Sequence, residues 1–169
     1  MKKGVVWWIT GISGTGKTTV GFALYKKLQA SGKNVVYLDG DKLRKVFGNL
    51  HSHTINDRRI LAKTYSRICK MLSDQGLDVV CATISLFHDC HNWNRRFIKN
   101  YKEIYLTAPK KVLFGRDLKK IYKKYHAGKI KDVVGVDIKP EIPLNPDMVI
   151  KNDGKKLPDE IVRQVLKLK

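Results

Sequence analysis

The segment Val5–Thr18 reads VVWWITGISGTGKT, an apolar run that leads directly into a glycine-rich loop. The run Val5–Thr10 is short and rich in β-branched and aromatic residues, which predicts a buried strand. The loop Gly11–Thr18 matches the pattern G-x-x-x-x-G-K-[ST], and the residues from Lys17 to Ala30 have the period of a helix. This order of strand, glycine-rich loop and helix is the context in which the pattern forms a phosphate-binding loop.

The chemistry that such a loop performs is the binding of nucleotide phosphates. Its glycines let successive backbone N–H groups turn toward phosphate oxygens, and the N-terminus of the next helix adds positive potential. We expect Lys17 to reach the β- and γ-phosphates of ATP and the Thr18 hydroxyl to coordinate Mg²⁺. The residues predicted to bind this cofactor are Gly11, Ser13, Gly14, Thr15, Gly16, Lys17, Thr18 and Thr19.

The rest of the chain alternates predicted strands with predicted helices. Further strands are expected at 34–38, 78–85, 103–107 and 147–150, and helices at 57–75 (with Asp57 as N-cap), 89–100, 109–126 and 158–168, with a short helix ending at Phe47. This alternation predicts an α/β fold of the P-loop NTPase type, a three-layer sandwich with a parallel sheet of about five strands. We expect residues 1–169 to form a single domain, in which the aperiodic stretch 128–146 is typical of a lid or binding segment.

The composition indicates which kind of partner the protein binds and in which cellular compartment we expect it. Thirty-four Lys and Arg residues face 15 Asp and Glu, a formal net charge of +19, which favours anionic partners. No apolar run is long enough to span a bilayer, so no membrane partner is expected. The three cysteines, Cys69, Cys81 and Cys90, are an odd number without CxxC spacing, which favours a reducing, cytoplasmic location and predicts that Cys81 is an inert buried thiol.

Two carboxylates follow the second predicted strand, in the tripeptide Asp39-Gly40-Asp41. The carboxyl ends of strands in an open α/β sheet face the ligand crevice, where carboxylates can hold Mg²⁺ or accept a proton from a substrate hydroxyl. The third strand ends in Ser85 and not in Asp, so it has no carboxylate at its carboxyl end, which favours Asp41 for the metal or the acceptor hydroxyl. The alternative interpretation is a solvated Asx turn.

Together these segments resemble the adenylylsulfate kinase family over nearly the whole chain. That family transfers the γ-phosphoryl of ATP to the ribose 3′-hydroxyl of adenosine 5′-phosphosulfate. Its landmarks after the P-loop are D-G-D-N-x-R, D-R-x-x-N-I-R-R, F-I-S-P, K-G-x-Y-K-K and F-T-G-[IV]-D…P-x-N-P. Here they stand as Asp39–Arg44, Asp57-Arg58, Thr83–Leu86, Lys119–Lys124 and Val133–Asp137 with Pro143–Pro146.

The resemblance implies roles for individual residues. Arg44 and Arg58 would hold the phosphate and the sulfate-like group of the substrate, because guanidinium forks suit tetrahedral anions. The implied catalytic residues are Lys17, Asp41, Ser85 and Lys123. Ser85 would lie near the reacting phosphates, and Lys123 would close over them as part of a basic lid over about residues 116–146. The implied substrate-binding set is Asp39, Asp41, Arg44, His53, Arg58, Lys63, Ile84, Ser85, Lys123 and Val133, and the implied metal ligands are Thr18 and Asp41.

Departures from the family pattern concentrate on the acceptor side. The N-I-R-R tetrapeptide becomes Leu61–Thr64, and His53 and Val133 replace two phenylalanines that resemble an adenine sandwich. Losing two ring faces forfeits about 1–3 kcal/mol of base stacking per contact, which makes a base other than adenine credible. One subgroup that resembles this family phosphorylates the 3′-hydroxyl of cytidine 5′-diphosphoramidate in capsule synthesis, and we hypothesise this acceptor ahead of adenylylsulfate.

Other interpretations remain open at this point. The lysine-rich stretches could belong to a non-enzymatic binder of nucleic acid or another polyanion, although no RNP, KH or zinc-finger motif accompanies them. A kinase for another small molecule, such as a nucleoside or sugar, is a third possibility, and the family resemblance suggests a homodimer. The histidines near positions 51–53 and 88–91 lack the convergent ligands of a zinc site, which favours positions at the surface or in contact with the substrate. Trp7 and Trp8 are predicted core residues, whereas Trp93 could either pack or stack on a base.

Overall fold

The computed structural model describes residues 2–48, 54–116 and 120–168. The strands of this part are β1 (Val6–Thr10), β2 (Val35–Asp39), β3 (Asp78–Ala82), β4 (Tyr101–Thr107) and β5 (Met148–Lys151). The helices are α1 (Lys17–Ala30), α2 (Gly40–Val46), α3 (Ile55–Asp74), α4 (His88–Phe97), α5 (Lys110–Gly115), α6 (Ile121–His126) and α7 (Pro158–Val165).

The sheet is parallel throughout and has the strand order β2-β3-β1-β4-β5. Successive residues of the central strand β1 face opposite sides, so that Trp8 packs toward α3 and α4 while Trp7 packs toward α1 and α7. Both tryptophans are buried, as the sequence predicts for core residues. The five-stranded sheet between two layers of helices confirms the predicted three-layer sandwich.

The start of α3 differs from the prediction. Thr54, and not Asp57, is its N-cap, because the Thr54 hydroxyl oxygen accepts a hydrogen bond from the Asp57 amide at 3.3 Å. The same hydroxyl donates to the Asp57 carboxylate at 2.6 Å. Asp57 therefore stabilises the positive end of the helix from within its first turn, where a carboxylate is also favourable.

Two further differences from the prediction have a cause in the local backbone. Strand β3 ends at Ala82 instead of Ser85, because the chain turns out of the sheet there and Ser85 has a positive φ of 20°. The helix expected over 109–126 is divided into α5 and α6, and Lys120, the N-cap of α6, has a left-handed conformation with φ 53°. A continuous helix cannot pass through a residue in that conformation.

The parallel arrangement brings the carboxyl ends of the strands to one edge of the sheet. A cavity of about 940 Å³ opens at this edge, next to the P-loop. The segment 120–147, which contains α6, covers one side of the cavity and is called the covering segment below. The Tyr122 hydroxyl donates to the Ser13 carbonyl at 2.9 Å, and the Glu141 amide donates to the Leu86 carbonyl at 3.1 Å. No helix of the described residues is long and apolar enough to cross a membrane.

Candidate active site

The glycine-rich loop is shaped by its own backbone and by one residue after β5. Gly14 and Gly16 have φ values of +83° and +90°, which L-residues rarely adopt. A Cβ atom on Gly16 would lie 2.4 Å from Nδ2 of Asn152, which itself donates to the Thr15 carbonyl at 2.9 Å. Glycine is therefore required at this position for the loop to close against Asn152.

Most of the residues predicted to bind ATP line the cavity, and two of them shape the loop instead. Thr15 is fully buried, and its hydroxyl donates to the Ile12 carbonyl at 2.9 Å. Gly11 lies against β4, where an added Cβ would be 2.4 Å from the Leu106 carbonyl oxygen. The predicted residues that line the cavity are Ser13, Gly14, Gly16, Lys17, Thr18 and Thr19. The Lys17 ammonium group lies over the loop and donates to the Ile12 carbonyl at 2.8 Å.

A carboxylate lies directly beside the predicted magnesium ligand Thr18. The Thr18 hydroxyl donates to Oδ2 of Asp39 at 2.8 Å, and Oδ1 of the same carboxylate caps α2 by accepting from the Asp41 and Lys42 amides at 3.0 and 3.2 Å. Asp39 is buried, so it is not part of a solvated turn. Asp41 stands in the first turn of α2 and lines the same cavity, which brings the two predicted carboxylates and Thr18 together.

Tyr37 supports this carboxylate from β2. Its hydroxyl lies 3.1 Å from the Thr18 carbonyl and 3.4 Å from Oδ2 of Asp39, to either of which it can donate. Burial and the neighbouring Asp39 carboxylate raise the pKa of Tyr37 well above its ordinary value. The phenol is therefore a neutral donor that stabilises the negative charge of Asp39.

The two predicted anion-binding arginines line the cavity together. One guanidinium nitrogen of Arg58 donates to the Asp132 carbonyl at 2.8 Å, which ties α3 to the covering segment. Burial and the nearby charge of Arg44 lower the pKa of Arg58 from its ordinary value. Positive charges held close together in a partly buried cavity favour a ligand with more than one negative charge.

Lys63, which the resemblance implied as a substrate contact, lies outside the cavity. Its ammonium group pairs with Asp89 at 3.0 Å, on the same side of α3 as Arg59, which pairs with Asp89 at 2.7 Å and Glu141 at 2.8 Å. Residues four apart share one face of a helix, and this face is turned toward α4 instead of the cavity. The cavity wall from α3 is formed by Arg58, Leu61 and Tyr65.

The basic residue of α6 that lines the cavity is Lys124, whereas Lys123 lines a smaller adjoining pocket with Phe114, Tyr122 and His126. Successive helical residues point about 100° apart, which agrees with Lys123 and Lys124 lining different pockets. Four further basic residues line the cavity: Arg116, Lys131, Lys139 and Lys156. No motif identifies them in the sequence, which indicates only that the chain is rich in lysine and arginine.

Ile84, Ser85 and Val133 line the cavity as the resemblance implied, whereas His53 lies outside the described residues. Trp93 does not line the cavity; its ring packs on Phe97 with centroids 5.1 Å apart, which favours the packing interpretation. The three cysteines are buried, and burial raises the pKa of Cys90 to about 12. Among the described residues no group of three or more His, Cys, Asp or Glu side chains could hold a metal ion on its own.

His91 lies behind Ser85 and is buried, so it is neither at the surface nor at the cavity wall, the two positions that the sequence favoured. Nε2 of His91 is 2.9 Å from the Ser85 carbonyl oxygen, and because a carbonyl only accepts, Nε2 carries the proton. Nδ1 has no hydrogen-bond partner and lies 3.8 Å from Oε1 of Glu103. Burial lowers the pKa of His91 to about 4 and raises the pKa of Glu103.

The fold and the site define a phosphotransferase of the P-loop class. The chain belongs to the adenylylsulphate kinase family, whose model matches residues 3–151. This membership favours the enzymatic interpretation over a non-enzymatic polyanion binder.

Named relatives agree with this family assignment. The chain is 41% identical to the cytidine diphosphoramidate kinase of Campylobacter jejuni over 95% of this chain and 93% of that protein. It is 34% identical to the adenylyl-sulfate kinase of Rippkaea orientalis over 96% of this chain and 90% of that one. The structure of Mycobacterium tuberculosis APS kinase in complex with AMPPNP and APS superposes with a TM-score of 0.91 at 28% identity, covering 99% of this chain and 98% of that chain.

We predict that His91 makes folding stability depend on pH. Its pKa is about 4 in the folded chain and ordinarily 6.5, so between these values the unfolded chain binds more protons and stability falls as the pH falls. The loss by pH 4 is about 3 kcal/mol of unfolding free energy. Glu103, with its raised pKa, acts in the opposite direction, so the comparison is between the wild type and His91→Gln.

The measurement is urea denaturation followed by tryptophan fluorescence between pH 7 and pH 4. His91→Gln should lose less unfolding free energy than the wild type over this range, because glutamine does not titrate. The charged and titratable groups near His91, which both proteins share, are His88, Asp89, Glu103 and Glu141. Parallel stability curves for the two proteins would contradict the prediction.

Proposed function

We propose that this protein uses ATP and Mg²⁺ to phosphorylate the ribose 3′-hydroxyl of a nucleoside 5′-phosphoanhydride, and that its acceptor is cytidine 5′-diphosphoramidate. The observation that carries the proposal is a difference between the two ends of one cavity. Its phosphate-binding end, at Lys17 and Thr18, keeps the family pattern, whereas its acceptor end departs from that pattern. The 41% identical relative from Campylobacter jejuni is itself a cytidine diphosphoramidate kinase.

The residues at the P-loop fit a magnesium-bound triphosphate. The Gly14 and Gly16 conformations leave room for phosphate oxygens next to the backbone, and Lys17 is placed to exchange its contact with the Ile12 carbonyl for a phosphate oxygen. The hydroxyl of Thr18 and the carboxylates of Asp39 and Asp41 would hold Mg²⁺, since hydroxyl and carboxylate oxygens are its preferred ligands. When bound, the ion neutralises charge on the phosphates during transfer.

On the acceptor side, Asp41 orients the sugar hydroxyl and accepts its proton. Phosphoryl transfer passes through a loose transition state, so the position of this hydroxyl matters more than the strength of the base. Arg44 and Arg58 bind the two phosphorus centres of the acceptor's anhydride. Lys124, Lys131 and Lys139 place further positive charge along the covering segment, which excludes water from the transfer.

The wall available to the acceptor base lacks one of the aromatic faces that the family pattern offers to adenine. Val133 is buried and lines the cavity in the position where the family pattern has a phenylalanine. Phe87 also lines the cavity, with the Arg59 guanidinium 4.6 Å from its ring centroid, which leaves one aromatic surface on the α4 side. Lys63, held by Asp89, does not replace the guanidinium groups of the family's substrate helix.

Adenylylsulfate is the second candidate acceptor. The fold superposes closely on that of the APS kinase crystallised with AMPPNP and APS, and the two anion-binding arginines would serve a sulfate as well as a phosphoramidate. The cytoplasmic location and the homodimer expected from the sequence remain predictions. The location is supported by three buried, unpaired cysteines.

We predict that cytidine 5′-diphosphoramidate is the better substrate. With MgATP saturating, its kcat/KM should exceed that of adenylylsulfate by about 100-fold, since a site shaped for one base rejects another by that order. A coupled ADP-release assay with both acceptors, and with CDP as a control that lacks the phosphoramidate nitrogen, measures this ratio. A preference for adenylylsulfate would replace the proposed acceptor and leave the kinase class intact.

We predict that Gly16→Ala weakens MgATP binding by about tenfold or more, because the new methyl group would displace Asn152 from the loop. Gly32→Ala is the matched control, since Gly32 also has a left-handed conformation, with φ +78°, but no atom within 4 Å of its Cβ position. Isothermal titration calorimetry with MgATP compares the two variants. Equal affinities for both would show that Asn152 and Gly16 do not shape the nucleotide site.

We predict that Asp41→Asn lowers kcat by about 10²-fold, because the amide orients the hydroxyl but does not accept its proton. Lys17→Ala should lower kcat by about 10²–10³-fold through the lost charge on the phosphates. The controls are Asp159→Asn, in the first turn of α7, and Lys27→Ala, in the last turn of α1. Steady-state kinetics at saturating Mg²⁺ should show a lowered kcat for the two site variants and a wild-type kcat for the two controls. If Asp41→Asn had the same kcat as Asp159→Asn, the role of Asp41 as proton acceptor would be excluded.

A further inference from the structure

We propose that His91 is a positioning residue that holds the Ser85–Leu86 peptide in the conformation required for phosphoryl transfer. The proposal rests on the function proposed above and adds a residue to which the family pattern assigns no role. His91 is buried on α4 and lies behind the cavity wall, so it acts through Ser85 and not by touching substrate.

The first observation is the backbone of Ser85. Its φ of 20° is rare for a residue other than glycine, and such conformations persist where the surrounding structure holds them. Ser85 is nonetheless buried and lines the cavity, with its hydroxyl 2.8 Å from that of Thr83. The strained residue is therefore the one that the family resemblance places next to the reacting phosphates.

The second observation is that three consecutive carbonyl groups of this turn are each bound by a different element. The Ile84 carbonyl accepts from the Thr10 hydroxyl of β1, and the Ser85 carbonyl accepts from Nε2 of His91 at 2.9 Å. The Leu86 carbonyl accepts from the Glu141 amide at 3.1 Å. His91 thus supplies the hydrogen bond that fixes the central peptide plane.

The orientation of that plane has a consequence for the cavity. In a planar trans peptide the C=O and N–H groups point in opposite directions. With the Ser85 carbonyl turned toward α4, the Leu86 N–H points away from α4, on the side where both residues line the cavity. Within the described residues no protein acceptor takes up the amides of Ser85 and Leu86, which leaves them available to an anionic ligand.

The Leu86 donor is also specific to this sequence. The family pattern F-I-S-P has proline here, which has no N–H group, whereas this chain has leucine. A backbone N–H aimed by a buried histidine can bind an oxygen of the acceptor's phosphoanhydride or of the transferred phosphoryl group. Losing His91 should therefore impair the transfer step more than ATP binding.

The experiment compares kcat and KM for the wild type, His91→Leu and His91→Gln. His91→Leu should lower kcat by about tenfold or more while the KM for ATP stays within about twofold, because only the acceptor-side turn loses its support. His91→Gln should retain kcat within about threefold of the wild type, since its side-chain amide can donate to the Ser85 carbonyl.

The matched control is Asn94→Ala, which removes a fully buried polar side chain one turn later on α4. Its amide donates to the Tyr101 hydroxyl at 3.3 Å and it does not line the cavity. Asn94→Ala should lower the unfolding temperature and retain kcat. The proposal is overturned if His91→Leu keeps the wild-type kcat, if His91→Gln is as impaired as His91→Leu, or if Asn94→Ala loses kcat equally.

A readout independent of activity separates this proposal from the proposed function. In ¹⁵N NMR spectra of histidine-labelled protein, His91 should be the neutral tautomer protonated at Nε2. Adding MgATP and cytidine 5′-diphosphoramidate should shift the Leu86 amide resonance in the wild type and much less in His91→Leu. If the wild type phosphorylates neither acceptor, the proposed function fails, whereas the opposite tautomer or an unmoved Leu86 resonance in an active enzyme overturns the role of His91.

Discussion

The hydrogen bond from the Thr18 hydroxyl to Asp39 joins the two halves of the site. Thr18 opens the helix that follows the P-loop, and Asp39 ends β2 and caps α2, whose first turn carries Asp41. The P-loop and Asp41, the carboxylate proposed to face the acceptor, are therefore linked through Asp39 across the edge of the sheet. Because the sheet is parallel, the P-loop and Asp39 lie at the same edge, where the arginines of α2 and α3 also line the cavity.

The two ends of the cavity depend on different parts of the structure. The donor end depends on backbone conformation, and glycine and the contact with Asn152 leave it little freedom to vary. The proposed acceptor end is lined by side chains from α3, from the connection between β3 and α4 and from the covering segment. Under the proposed function, a family with one transfer reaction can in this way accept different bases. The departures at Leu86 and Val133 line that end, whereas Lys63 lies outside the cavity and pairs with Asp89.

The parts of the molecule that sequence predicts well are those in which local pattern and function coincide. The P-loop, the bounds of α1 and the position of Asp39 and Asp41 at a strand end follow from short motifs and from the period of buried residues. The parts that it misses depend on tertiary partners. Asp89 draws Lys63 away from the cavity, and the left-handed conformation of Lys120 divides a predicted helix. Asn152 reaches the site through its contact with Thr15, which is 137 positions away in the sequence. His91 reaches it through its contact with Ser85, six positions away.

The most direct test of the account is ³¹P NMR of the product formed from MgATP and cytidine 5′-diphosphoramidate. The account predicts a new phosphomonoester resonance coupled to the ribose H3′ proton, formed in equal amount with ADP, while the diphosphoramidate stays intact. Transfer to another position, or ADP formation with free phosphate and no phosphorylated nucleotide, would contradict the placement of the acceptor hydroxyl at Asp41.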